Sequence, residues 1–389
     1  MLRLLLIFFL LSSSSFAQTV SELIDEVDVI KLSETLNELS GEVSTVVDGN
    51  TVTILNRVSN TDNNIAADYL LQKFNALPGL IVNDQDYSPG VNGGRNIIAT
   101  QIGQTNPNDI YIICAHYDAV ADYCADDNVS GTAAVLEIAR ILSQYNTDST
   151  IVYALWDQEE IGLLGSNYYA QQAATNGDNI LGVFNMDMMA HDGDGDNDFD
   201  IDVRPIANSI AMKDEIISIL NTYKVNNDID LNVNVVNPGT AASDHSRFWN
   251  QGFSAVLFGE AWSNGDQTED YHQPSDRVST LDLDYFHDMV KLAMGYMATK
   301  AGFNVLSLDD LEAIGLSVFP NPVKDMLNIK LREAIETDFE IADMNGKTLL
   351  KRTIVNLENS LEVSQLPEGI YFINLKNEKG QRVIKVIKE

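Results

Sequence analysis

The chain is 389 residues long and 45% hydrophobic, enough to bury a sizeable core, and at roughly 150 residues per domain it suggests about two domains. Acidic residues outnumber basic ones by 57 to 24, for a net charge of −33. That excess excludes nucleic acid and anionic membrane surfaces as electrostatic partners, because both require basic patches.

Met1 and Arg3 give a short positive start, residues 4–11 form an unbroken apolar run, and Ser15-Phe16-Ala17 offers a cleavage site. This is the pattern of a secretory signal peptide over 1–17. The run is too short to anchor in a bilayer, and no second long apolar stretch predicts a membrane span. The runs 110–115, 151–156, 180–186 and 253–258 are short, β-branched or aromatic, and apolar almost throughout, so they predict buried strands. Helix-length segments at 131–145 and 283–300 alternate with them. The predicted class is α/β, with a largely parallel central sheet covered by helices on both faces. Only Cys114 and Cys124 are available for a disulfide, and spacing alone leaves a bridge and two buried thiols both open.

Charge marks a boundary near Gly315. From there to Glu389 there are 11 basic and 11 acidic residues, whereas the preceding 314 residues hold 13 and 46. Beyond it, segments 326–331, 339–342, 348–354, 360–363, 369–375 and 382–387 read as short strands. Asn345-Gly346 and Lys379-Gly380 sit at turns between them, predicting a small all-β sandwich. The expected division is a signal peptide at 1–17, a catalytic domain at 18–303, a linker at 304–314 and the sandwich at 315–389.

In open parallel sheets, functional groups collect past the carboxyl ends of the strands. Here those ends deliver His116-Tyr117-Asp118, Asp157-Gln158-Glu159-Glu160 and Asp187, with Asp126-Asp127 in an intervening loop and Tyr271-His272 after the last run. Imidazoles and carboxylates on one rim suit zinc. Two histidines and several carboxylates exceed the three ligands of one catalytic zinc, and a carboxylate shared between two ions accounts for the surplus. The alternative for each piece alone is solvated surface; four strand ends converging argue against it.

These residues, with Ala125-Asp126-Asp127-Asn128-Val129-Ser130-Gly131, Glu159-Glu160-Ile161-Gly162, Asn185-Met186-Asp187-Met188, Ser243-Asp244-His245 and Tyr271-His272-Gln273-Pro274-Ser275-Asp276, resemble the dizinc aminopeptidase family over about 33–300. Its members include secreted leucine aminopeptidases, glutaminyl cyclases and glutamate carboxypeptidase II. The resemblance implies two zinc ions and peptide substrates. It assigns His116 and Asp187 to one ion, Glu160 and His272 to the other, and Asp127 between them. Glu159 would be the general base, and Asp118 would orient His116 through its other ring nitrogen. The Asp127–Asn128 peptide would be cis. Where family aminopeptidases often carry a tyrosine and a disulfide before Ser-Asp-His, this chain has Asn237-Pro238-Gly239-Thr240-Ala241-Ala242, which leaves open the group that steadies the oxyanion. Alternatives on the same fold are a glutaminyl cyclase, a carboxypeptidase and a non-catalytic receptor or adhesion module.

The C-terminal segment is similar to the type IX secretion sorting domain of gram-negative bacteria, through Phe319-Pro320-Asn321-Pro322, Met344-Asn345-Gly346-Lys347, Leu366-Pro367-Glu368-Gly369-Ile370-Tyr371 and its basic end. That implies the secretion machinery as partner, passage through the periplasm and an extracellular or cell-surface location. The alternative is a sandwich that binds carbohydrate or protein. His287 falls within a helix pattern and reads as structural, while His245 is open between lining the cleft and starting a helix. The acidic run from Asp192 to Asp202 is an imperfect calcium loop, since Asn197 stands where glycine belongs and Val203 where the closing glutamate belongs. Calcium and a solvated acidic turn are its two readings.

Overall fold

The structure, a computed structural model, describes residues 19–58, 60–87, 93–304, 316–319, 322–331, 336–343, 347–367, 369–377 and 380–388. The expected signal peptide, residues 305–314 of the expected linker and the Asn345-Gly346 turn lie outside the described residues, as do Pro320, Asn321, Met344, Glu368 and Lys379. Contacts divide the chain into two compact units, Ala17–Asn304 and a second that contains Val305–Glu389.

Eight strands build the sheet of the first unit: β1 (Ile81–Tyr87), β2 (Gly94–Gln101), β3 (Asn106–His116), β4 (Ser149–Trp156), β5 (Asn179–Met186), β6 (Asp198–Asp202), β7 (Asn232–Val236) and β8 (Ala255–Glu260). Their order is β7-β6-β8-β5-β3-β4-β2-β1. The middle is parallel, with β8 on β5, β5 on β3 and β3 on β4. Antiparallel pairs occur outside it: β6 on β8, β2 on β4 and β1 on β2. The sheet is therefore mixed, with a parallel centre. The predicted buried runs are its middle strands, and β4 is buried along its whole length. The two edge strands, Ile81–Tyr87 and Asn232–Val236, escape the sequence pattern because they are partly exposed and mix polar with apolar residues.

Side chains alternate across a strand, and here the alternation feeds two cores. Ile151, Tyr153 and Leu155 of β4 enter one apolar cluster, while Val152, Ala154 and Trp156 enter another. The first cluster is closed by α1 (Val20–Asp25), α2 (Val29–Leu39), α3 (Asn60–Asn75), α4 (Gly131–Leu142), α6 (Ser209–Tyr223) and α8 (Leu283–Ala301). The second is closed by α5 (Leu164–Asn176) and α7 (His245–Asn250). Both faces are thus covered. Local signals set the helix ends: Asp282 accepts from the amides of Asp284 and Tyr285 to start α8, and Gly177, at φ +74°, ends α5.

The second unit is all-β and antiparallel. Strands β9 (Leu316–Phe319), β10 (Met326–Leu331) and β13 (Glu358–Glu362) form one sheet; β11 (Thr337–Asp343), β12 (Thr348–Ile354), β14 (Gly369–Asn377) and β15 (Gly380–Lys388) form the other. Alternate residues of both sheets, including Leu327, Ile329, Phe339, Ile341, Ile373 and Val386, share one core.

Candidate metal centre

Because β8, β5, β3 and β4 are adjacent and parallel, their carboxyl ends share one edge of the sheet. His116 is the last residue of β3, Asp187 follows β5, Glu159 and Glu160 follow β4, and His272 lies in the long connection after β8. Asp127 enters from the turn over Ala125–Ser130 that leads into α4, where its peptide to Asn128 is cis. His116 Nε2 lies 3.4 Å from Asp127 Oδ1 and 3.4 Å from Asp187 Oδ1. His272 Nε2 lies 3.1 Å from Asp127 Oδ2 and 3.3 Å from Glu160 Oε2. The two oxygens of Asp127 therefore face two separate clusters. His116–Asp127–Asp187 and Asp127–Glu160–His272 each bring ligand atoms within 4.8 Å of one another, as do His116, Glu159 and Glu160.

The arrangement masses buried carboxylates around the two histidines. Burial pushes Glu159 and Glu160 above the ordinary carboxylate range, with neighbouring aspartates adding to the rise, and a bound cation would reverse that shift and leave both ionised. Burial also disfavours charge on His116 and Asp127. It is outweighed for His116 by the surrounding carboxylates, which raise it, and for Asp127 by His116 and His272, which lower it. Among the described residues, the buried Glu160 Oε1 has no hydrogen-bond partner. Imidazole nitrogens, carboxylate oxygens and an orphaned buried oxygen form a donor set that fits a cation such as zinc.

Glu159 and Glu160 do not extend the strand. The chain turns after Trp156, with Gln158 at φ +59°, so alternation along a strand cannot be what separates the two side chains. Asp118 holds this turn: its carboxylate accepts from the Glu159 amide at 3.0 Å and the Glu160 amide at 3.2 Å. Against His116 Nδ1, its carboxylate stands at 3.4 Å and its own carbonyl oxygen at 3.2 Å. Tyr123, Cys124, Gln158, Leu163, Met188 and His272, all near the centre in sequence, take positive φ. Such conformations are strained for residues other than glycine, and surrounding structure must enforce them.

Several supporting residues were not assigned a role from sequence. Ser243 donates to Asp187 Oδ2 at 2.6 Å and accepts from Asn185 at 2.9 Å. The Asp276 carboxylate accepts from the amides of Asp126 and Asp127. Arg57, wholly buried, donates to the carbonyls of Leu39, Tyr117, Tyr123 and Cys124. Ser243 and Asp276 lie inside quoted motifs, but nothing in the sequence signals Arg57. The two cysteines are buried, free thiols. His245 starts α7, buried and in contact with Thr240 O; His287 contacts Val27 O within α8. The acidic run splits. Asp192, Asp194 and Asp196 bring oxygens within 4.8 Å of one another, whereas Asp198 to Asp202 form β6, with Asp200 and Asp202 buried against Ser263 and the Thr240 amide.

The centre floors a cleft of about 530 Å3, walled in part by Leu163, Met188, Thr240, Arg247, Trp262 and Tyr271. Among the described residues, no helix is long and apolar enough to cross a membrane.

A family model described as peptidase family M28 matches residues 96–297, and one described as a secretion system C-terminal sorting domain matches residues 317–389. A probable zinc metalloprotease of Pyrenophora teres f. teres is 34% identical over 122 residues, 29% of this chain and 25% of that protein. Aminopeptidase Y of Saccharomyces cerevisiae is 31% identical over 216 residues, 53% of this chain and 39% of that protein. The chain thus spans about a quarter to two fifths of the length of these curated relatives. LapB from Legionella pneumophila shares the fold, with a TM-score of 0.61 at 20% identity over 72% of this chain and 74% of that one.

Proposed function

The chain belongs to peptidase family M28, and from that premise we propose that it is an exported zinc aminopeptidase removing N-terminal residues from peptides. The observation that supports this best is the posture of Asp127, with one oxygen toward His116 and Asp187 and the other toward His272 and Glu160. In this reading His116 and Asp187 hold one zinc, Glu160 and His272 the other, and Asp127 is common to both. When bound, the two ions polarise the scissile carbonyl and acidify the attacking water.

The remaining chemistry belongs to the chain. Glu159, in the cleft wall beside His116, takes a proton from the attacking water and returns it to the leaving amine. Asp118 positions Glu159 and Glu160 through their amides, and Ser243 fixes one oxygen of Asp187 so that the other turns to His116. The substrate ammonium group rests among the carboxylates, which makes the enzyme an exopeptidase. Residues 18–303 are the catalytic domain, 304–314 a linker, and 315–389 a sorting domain that takes the protein through the periplasm to the cell surface or beyond.

Metal analysis of the purified protein should find close to two zinc ions per chain. Chelation should abolish hydrolysis of aminoacyl arylamides and zinc should restore it, while amino-blocked peptides stay intact. One zinc with full activity sinks the two-ion reading, and cleavage of blocked peptides sinks the exopeptidase reading.

A further inference from the structure

Besides the buried Arg57, three arginines stand near the centre. Arg277 is paired through two nitrogens with Glu42 and lies over the Tyr123 ring. Arg204 donates to Gly239 O and lies over Trp249. Arg247, on α7, is different. It donates through one terminal nitrogen to Gly162 O at 3.0 Å, and its Nε is shielded from solvent without a hydrogen-bond partner among the described residues. No ion pair with a carboxylate is formed by it among those residues.

Arg247 also lines the cleft, where Asp127, Glu159, Glu160 and Asp187 supply the opposite charge. Histidines aside, it is the one cationic side chain among the described residues that line it. The cleft is therefore dipolar, with carboxylates on its floor and a guanidinium on its wall. Its 530 Å3 falls in the range of pockets that enclose small ligands rather than long chains. A guanidinium offers up to five N–H donors in a rigid fork matched to a carboxylate.

We propose that Arg247 is a specificity-determining residue that binds a carboxylate of the peptide, so that the enzyme favours short peptides with an anionic group near the cleaved bond. The inference rests on the aminopeptidase reading, which puts the ammonium end on the acidic floor. The carboxylate has two sources: the C-terminus of a dipeptide, or an acidic side chain at the N-terminal residue. Neither adds a step to the reaction; the contact acts on binding and register.

The test uses the full zinc-loaded chain. The ratio of kcat/KM for Leu-Gly over Leu-Gly-amide reads the C-terminal source, and glutamyl- over glutaminyl-p-nitroanilide reads the side-chain source. Arg247→Gln should lower one of these ratios about tenfold or more, the scale of a hydrogen-bonded charge contact. Arg247→Lys should recover part of it, keeping charge but losing the fork. Calorimetric binding of the same dipeptide and its amide reads the preference without turnover. Loss of hydrolysis for all four compounds would therefore sink the aminopeptidase reading while calorimetry still decides on Arg247. If both kinetic ratios, or the calorimetric ratio where turnover is absent, stay within about twofold in Arg247→Gln, the proposal is overturned.

Discussion

Glu159 and Glu160 are neighbours with the same side chain and different surroundings. Glu160 Oε2 faces His272, and Glu159 groups with His116 on the cleft wall. Glu159→Gln keeps the shape and removes the base. Zinc content should survive while kcat falls by about 10²–10⁴, the usual worth of general acid–base catalysis, and KM should change little. Glu160→Gln should instead leave the protein short of zinc, with activity lost in proportion. Zinc content measured beside kcat for both variants decides; zinc loss in Glu159→Gln with retention in Glu160→Gln would reverse the two roles. The place of both glutamates at the rim was legible in the sequence, because they come within four residues of the end of an apolar strand. What separates them was not: the turn at Gln158 and the clamp by Asp118 depend on residues some 40 positions apart.

At the scale of elements, the segment from Tyr117 to Ser130 carries Asp127 into the centre and is pinned from outside itself. Asp276 holds two of its amides, and Arg57 holds three of its carbonyls together with that of Leu39. Arg57→Met keeps the aliphatic stem and removes every donor. Each buried acceptor left alone costs about 1–3 kcal/mol, less whatever is recovered by no longer burying a charge. Urea unfolding should show a loss of several kcal/mol, together with weaker zinc retention; a change under about 1 kcal/mol would mean the segment holds itself. Arg57 was invisible in the sequence for a physical reason. A cation that bonds carbonyls needs no acidic partner of recognisable spacing. The middle strands were readable because burial on both faces leaves a continuous apolar run. β1, β2, β6 and β7 were not, being at or near the sheet edges with mixed polarity, and β6 was hidden inside what looked like one acidic loop.

For the whole molecule, the division of labour between the two units is testable by cutting between them. Asn304 and Phe303 pair with Asn146 and Thr147, and Phe303 packs edge-on against Tyr145. A chain ending after Asn304 therefore keeps every contact of the first unit. Produced inside a cell, it should match the full-length kcat/KM within about twofold and fail to reach the medium when expressed in a type IX-competent host. A truncated protein that folds but does not cleave would give the second unit a share in catalysis.

The ligand atoms of the centre come from five separate stretches, from His116 on β3 to His272 beyond β8, and no two neighbours in sequence complete either half. Contacts of such long range form only after most of the intervening chain is in place. A polypeptide emerging from the ribosome, or threaded through a translocon as an extended strand, has no such rim. In the aminopeptidase reading, hydrolysis thus waits on topology: synthesis must pass His272 and the sheet must close before the rim exists.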